Sequence, residues 1–145
     1  MISSVQKAYL AGFLDGDGSI YVRLKPNSTY RYGFQVSPYI IFFQSSKSKE
    51  GFEELCSLLG FGYIRERKDG ILEFTVSRRE DILALLDIVR PYIILKKMQA
   101  ELMTKILHQQ SKVKDKQDFS VLIKLIDSFR ELNYSKKRKV RVLTP

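Results

Sequence analysis

Apolar and polar positions along the chain switch repeatedly between two periods. Val5 to Leu14 is apolar-rich and follows Ser3 and Ser4, either of which can cap a helix, so a first helix is expected to run to about Asp15. Asp15-Gly-Asp-Gly18 then breaks it. Ser19–Lys25 alternates, with Ile20, Val22 and Leu24 on one face and Ser19, Tyr21, Arg23 and Lys25 on the other, the mark of a half-buried strand. Pro26-Asn27-Ser28 opens a polar turn, and a second long strand is expected from about Gly33 to Gln44. Pro38 inside it has no N–H for a ladder and points to an edge or a bulge.

A helix over about Lys49–Leu59 is expected to end at Gly60. Phe61–Lys68 and Ile71–Ser77 read as a hairpin joined by Asp69-Gly70, a favoured two-residue turn. Arg79–Val89 is a helix stopped before Pro91, Ile93 to about Gln110 another, and Asp118–Leu132 a last amphipathic one. The order is α-β-β-α-β-β-α plus C-terminal helices. It predicts an α+β fold, an antiparallel sheet with helices packed on one face. Residues 1–133 are expected to form a single domain and 134–145 a basic C-terminal tail.

A length of 145 residues suits one compact core. No apolar run approaches a membrane span and Met1–Lys7 lacks a signal-peptide pattern. No membrane association is expected, and an intracellular, non-secreted protein is, in the cytoplasm or nucleoid or in the organelle that encodes it. Cys56 shares an apolar helical face with Phe52, Leu55 and Leu59 and reads as a core thiol. With one cysteine and one histidine (His108), neither a zinc site nor a Cys–His pair can form. Any metal must be a hard cation held by carboxylates. The formal net charge of +9 and pI near 9.7 favour a polyanionic partner, most commonly nucleic acid.

The acidic turn carries the most chemistry. Asp15 and Asp17 stand at a helix C-terminus, where the macrodipole disfavours carboxylates by some tenths of a kcal/mol each. A hard cation would reverse that penalty; a plain polar turn is the alternative. An EF-hand loop is excluded, because counting from Asp15 its glycine position holds Ile20 and its glutamate position Pro26. Ala11 and Gly12 are small residues in mid-helix, where glycine costs about 1 kcal/mol relative to alanine. Close approach of a second helix, or packing on the chain's own sheet, would account for them.

Leu10-Ala-Gly-Phe-Leu-Asp-Gly-Asp-Gly18 closely resembles the LAGLIDADG motif of the homing endonucleases. Ser19-Ile20, Lys25-Pro-Asn27, Gln35-Val-Ser37, Gln44, Gly60–Arg67 and Pro91–Ala100 extend the resemblance to the single-motif members, over residues 5 to about 133. The resemblance implies a C2 homodimer joined through paired motif helices, with Leu10, Ala11, Gly12, Leu14 and Asp15 at the interface. It implies double-stranded DNA as partner, a roughly palindromic target, and Mg²⁺ as cofactor with Mn²⁺ able to substitute. It makes Asp17 the metal-binding catalytic acid, aided by the Gly16 carbonyl. Gln44 would orient water or metal, and Lys96, with Lys97 as its neighbour, would stabilise developing charge. Asp15 would cap or brace the helices. At a further basic position of the family this chain has Ser48, between Lys47 and Lys49.

The sheet face opposite the core would then enter the major groove. Its outward positions are Tyr21, Arg23 and Lys25 on the first strand, with Asn27 and Tyr30 towards the loop. On the second strand they are Gln35, Ser37, Tyr39, Ile41 and Phe43, and on the hairpin Arg65, Arg67, Glu73 and Thr75. Arg23, Arg65 and Arg67 are the first choices for guanine. Ile41 and Phe43 would meet thymine methyls, unless a bulge at Pro38 turns them inward. The basic run Ser135–Arg141 would clamp flanking phosphates, and it also fits the loose pattern of a nuclear import signal. Two rival readings use the same scaffold: a maturase binding intron RNA, and a basic transcription regulator.

Overall fold

The computed structural model describes residues 1–133 and 142–145. Helix α1 (Ser4–Asp17) is capped by Ser3, whose hydroxyl accepts from the Gln6 amide while Gln6 Oε1 accepts from the Ser3 amide. The helix runs through Asp17, so Asp15, Gly16 and Asp17 form its last turn instead of breaking it. Gly18 ends it. A Cβ there would lie 2.5 Å from Leu14 Cδ1 and 2.8 Å from the Leu14 carbonyl oxygen, so only glycine lets the chain leave so close to the helix.

The chain passes at once into β1 (Gly18–Pro26) and then β2 (Phe34–Ser45), a 3-10 turn (Ser46–Ser48) and α2 (Lys49–Ser57). Strands β3 (Tyr63–Glu66) and β4 (Ile71–Val76) follow, then helices α3 (Arg79–Val89), α4 (Lys97–Gln110), α5 (Lys116–Asp127) and the short α6 (Phe129–Leu132). The sheet order is β1-β2-β4-β3, and β4 pairs antiparallel with both β2 and β3. This is the expected α+β class.

Two compact units share the chain, each made of two stretches: Met1–Ile20 with Tyr39–Lys97, and Tyr21–Pro38 with Met98–Pro145. In the first, Leu10 and Leu14 of α1, Ile40 and Phe42 of β2, Leu72, Phe74 and Val76 of β4, and Ile82, Leu85 and Leu86 of α3 are buried. Phe13 meets Phe42 edge-on at 5.8 Å and Phe52 of α2 at 5.9 Å, and Phe42 stacks on Phe74 at 6.0 Å. The opposite face of the ladder carries the rows Ile41–Thr75–Tyr63 and Phe43–Glu73–Arg65. In the second unit the buried set is Val22, Tyr32, Ala100, Met103, Ile106, Leu107, Phe119, Leu122, Ile126 and Phe129, with Tyr32 stacked on Phe119 at 5.1 Å.

Several boundaries differ from expectation. The β3–β4 hairpin closes through three residues, Lys68-Asp69-Gly70, because Arg67 N–H donates to Ile71 O and Gly70 takes the left-handed conformation at φ +83°. Helix α4 starts at Lys97, not Ile93: a helix from Ile93 would need the Lys96 N–H for the Tyr92 carbonyl, and Asp15 holds that N–H. The last helix is broken at Ser128, whose hydroxyl donates back to the Lys124 carbonyl. Pro38 lies beyond the β2–β4 ladder, which begins at Ile40, so its missing N–H costs no bond to β4. Ile40 and Phe42 point into the core, and Ile41 and Phe43 stay half-buried on the other face, so Pro38 does not turn them inward. Cys56 is a core thiol: it is 5 % exposed, and burial pushes its pKa up to about 12.

Gly62 sits at φ +86°, and a Cβ there would lie 2.5 Å from Phe74 Cζ and 3.0 Å from the Thr75 carbonyl oxygen. Gly62→Ala is expected to destabilise the fold by about 2 kcal/mol or more. Gly51, inside α2, faces open space, so Gly51→Ala should stabilise by up to about 1 kcal/mol. Urea midpoints of the two variants should move in opposite directions; a shared direction would remove Gly62 from its constrained role.

Candidate active site and nucleic-acid interface

The last turn of α1 places its two carboxylates in different circumstances. Asp15 Oδ2 accepts from the Ile94 amide at 2.7 Å and the Leu95 amide at 3.1 Å, and Oδ1 accepts from the Lys96 amide at 3.1 Å. These amides lie just ahead of α4. Lys96 Nζ in turn donates to the Asp15 carbonyl at 2.6 Å. A cation thus sits on the negative end of α1, where the macrodipole favours it. Asp15 is therefore an internal brace within one chain.

Asp17 is exposed, and its carboxylate makes no hydrogen bond or ion pair among the described residues. Gly16 beside it is also exposed, and a Cβ there would meet nothing within 4 Å. Among the described residues no three His, Cys, Asp or Glu side chains come together as a metal cage. One chain alone thus offers a hard cation a single open carboxylate and neighbouring carbonyls, short of its usual oxygen count.

Gln44 is half-buried near the end of β2, and its Oε1 accepts from the Ser45 amide at 2.8 Å, which leaves the NH₂ group as the outward donor. No bond joins it to Asp17. Lys97 is exposed at the start of α4. Lys49 pairs with Glu66 at 3.5 Å, whereas Lys47 is exposed and has no ion pair among the described residues.

The interface residues expected on α1 need correction. Leu10, Ala11 and Leu14 are 1 %, 0 % and 0 % exposed within the chain's own core, because they share the inward face of the helix. The outward face carries Val5, Ala8, Tyr9, Gly12 and Gly16. Beside the Asp15 brace, Ile94 and Leu95 are 73 % and 72 % exposed. Nothing in the residue pattern marks this pair, which reads as the first turn of a helix.

In the first unit, Arg65, Arg67, Ile41, Phe43, Glu73 and half-buried Tyr39 occupy the sheet positions expected to face outward. The arginines are not independent. Glu73 receives Arg65 at 3.4 Å and Arg67 at 3.6 Å, and Arg67 also reaches Asp69 at 2.6 Å. Thr75 is 6 % exposed, not open as expected, because its ladder neighbours Ile41 and Tyr63 crowd it from both sides. In the second unit, Tyr21, Arg23 and Tyr30 are exposed and Lys25, Asn27 and Gln35 half-buried. Asn27 Oδ1 accepts from the Thr29 amide and hydroxyl, so its NH₂ group is left to donate outward. Ser37 is 8 % exposed, again contrary to expectation: the burial pattern of β2 loses its period of two beside Pro38. The basic run Ser135–Arg141 lies outside the described residues.

Residues 10–108 match the sequence model of the LAGLIDADG endonucleases. The chain belongs to the LAGLIDADG endonuclease family. It is 34 % identical over 132 residues to the DNA endonuclease I-CreI of Chlamydomonas reinhardtii, covering 90 % of this chain and 80 % of that protein. It is 32 % identical over 133 residues to the DNA endonuclease I-CvuI of Chlorella vulgaris, covering 92 % and 83 %. The crystal structure of the homing endonuclease I-CvuI in complex with its target in the presence of 2 mM Ca matches with a TM-score of 0.87 at 31 % identity, over 94 % of this chain and 87 % of that one. The archaeal intron-encoded homing endonuclease I-Vdi141I, complexed with DNA, shares the fold, with a TM-score of 0.77 at 22 % identity over 94 % and 87 % of the two chains. The LAGLIDADG motif of this chain is thus the C-terminal half of α1 together with its exit into β1.

The two motif acids should separate in a stability assay. Asp15→Ala removes the acceptor of three amides and should cost about 2–3 kcal/mol, with Asp15→Asn in between. Asp17→Asn removes an unpartnered charge from a helix C-terminus and should leave stability level or slightly higher. Equal losses at both positions in chemical denaturation would contradict the brace.

Proposed function

We propose that this chain is one subunit of a homodimeric, site-specific endonuclease that hydrolyses phosphodiesters in a long pseudo-palindromic double-stranded DNA target and so promotes intron homing. The observation that carries the reading is the pairing of a satisfied Asp15 with an open Asp17 two residues later on the same exposed turn. Stability alone disfavours a bare carboxylate at a helix C-terminus. A bound cation beside a phosphate gives it a purpose. Residues 1–133 are taken as the endonuclease domain and 134–145 as its tail.

The proposed cofactor is Mg²⁺, with Mn²⁺ able to substitute. It would be held by Asp17 and the Gly16 carbonyl, with remaining oxygens from water, phosphate and the second copy's turn. The cation supplies activation of water and neutralises charge on the attacked phosphate. Lys96 fixes a positive charge at the end of α1, and the Gln44 NH₂ group is free to orient a water. Of the lysines near Ser48, Lys47 is the better assistant, because Lys49 is engaged with Glu66. DNA recognition is assigned to Tyr21, Arg23, Lys25, Asn27, Tyr30 and Gln35, and to Tyr39, Ile41, Phe43, Arg65, Arg67 and Glu73. No observation separately favours intron RNA as the partner. No described helix is long and apolar enough to cross a membrane.

Asp17→Asn should fold and bind its target about as well as the parent, since most affinity comes from cationic contacts along the strands, yet cut neither strand in Mg²⁺. A gel shift and a cleavage assay on one duplex measure both. Cleavage near the parent rate would take Asp17 out of the chemistry.

The dimer is expected to form through the outward face of α1, around Gly12, with Ile94 and Leu95 alongside. Gly12 faces open space in the single chain, so a larger side chain costs the fold nothing there. Gly12→Leu should therefore stay folded while sedimenting as a monomer and losing cleavage. A parent protein that sediments as a monomer, with and without DNA, would end the idea.

A further inference from the structure

The β1–β2 connection is held by an internal set of bonds. Tyr30 N–H donates to Asn27 O, Gly33 N–H to Tyr30 O, and Asn27 N–H to Gly33 O, at 2.9–3.1 Å. These close the loop on itself but leave the carbonyls of Arg31 and Tyr32 outside the set. A segment more than a hundred residues later takes both. Thr144 Oγ1 donates to the Arg31 carbonyl at 2.9 Å, and Thr144 N–H donates to the Tyr32 carbonyl at 3.1 Å. The Thr144 methyl also fills the space over Gly33, 3.2 Å from where a Cβ would stand. The Tyr32 ring stacks on Phe119 at 5.1 Å, and the Arg31 guanidinium lies over it at 5.3 Å.

We propose that Thr144 is a positioning residue for DNA recognition: it clasps the Arg31–Gly33 turn, and so fixes how Tyr30 and Arg31 are presented to the base pairs at the flanks of the target. The proposal rests on the DNA-binding reading above. Tyr30 and Arg31 are the large exposed side chains of the loop, after the small exposed Ser28 and Thr29, and they are offered from backbone whose Arg31 and Tyr32 carbonyls are tied down from outside the hairpin. Loosening the clasp leaves the side chains in place but enlarges the range of poses they sample. The consequence is weaker discrimination at the pairs they meet, with unchanged discrimination elsewhere.

Two substitutions divide the clasp. Thr144→Val keeps the methyl over Gly33 and removes the hydroxyl donor; Thr144→Ser does the reverse. In competition binding against duplexes altered one pair at a time, Thr144→Val should lose about fivefold of its preference at the flanking pairs, the effect of one ordinary hydrogen bond. Its preference at the other pairs should match the parent, and Thr144→Ser should match it throughout. In the free protein, Thr144→Val should also speed amide exchange of Tyr30 and Gly33 about fivefold. Unchanged flank preference, or an equal loss at every pair, overturns the proposal. A parent with no base preference at all overturns it together with the DNA-binding reading, and the exchange measurement, made without DNA, then shows whether the clasp itself was real.

Discussion

The Asp15 carboxylate, accepting from three consecutive amides some 80 residues away in the chain, ties the last turn of α1 to the approach to α4. By pattern alone Ile94, Leu95 and Lys96 read as the first turn of α4. Instead they stay as a non-helical approach, with two large apolar side chains outward and the Lys96 ammonium on the Asp15 carbonyl. The exchange is reciprocal: the helix end supplies a carboxylate to orphan amides and receives a cation for its own orphan carbonyl. Once Asp15 is spent in this way, Asp17 is the acidic group of the turn left for another partner. The division of labour between two carboxylates of the same motif follows from one set of hydrogen bonds.

Much of this was legible in the residue pattern. The alternation of Ser19–Lys25, the α3 span and the helical face of Cys56 follow from periodicity, which reports burial directly. The readings that failed share a cause: they depend on partners far along the chain or on crowding. Asp69-Gly70 resembles a two-residue turn, but Lys68 joins it once Arg67 pairs with Ile71. Thr75 alternates to the correct face, yet its neighbours on both sides close over it, and alternation says nothing of neighbours. On α1 the motif read as one interface block, whereas a helix divides it by face, with Leu10, Ala11 and Leu14 inside and Gly12 and Gly16 outside. The Asp15 brace could not be found from sequence, because nothing local marks Ile94–Lys96 as its donors.

The proposed reading face shows what a basic surface needs besides charge. Glu73 and Asp69 place acid beside Arg65 and Arg67 on a chain whose net charge is +9. Stability is a weak reason for such pairs, since exposed ion pairs contribute about 0–1 kcal/mol. General attraction to phosphate is no reason at all, because each carboxylate subtracts from it. What the acids do supply is orientation. Arg67 is held between two carboxylates on different residues, so the plane of its guanidinium is set before any base arrives. An arginine fixed in this way gives its two-donor edge only to a base whose acceptors lie in that plane, and a mismatched base must both lose the bonds and disturb the carboxylates. On the proposed reading, affinity is lowered a little everywhere and discrimination is raised at one place. That trade suits the site-specific endonuclease proposed above, which would have to find one long site among many and has charge to spare.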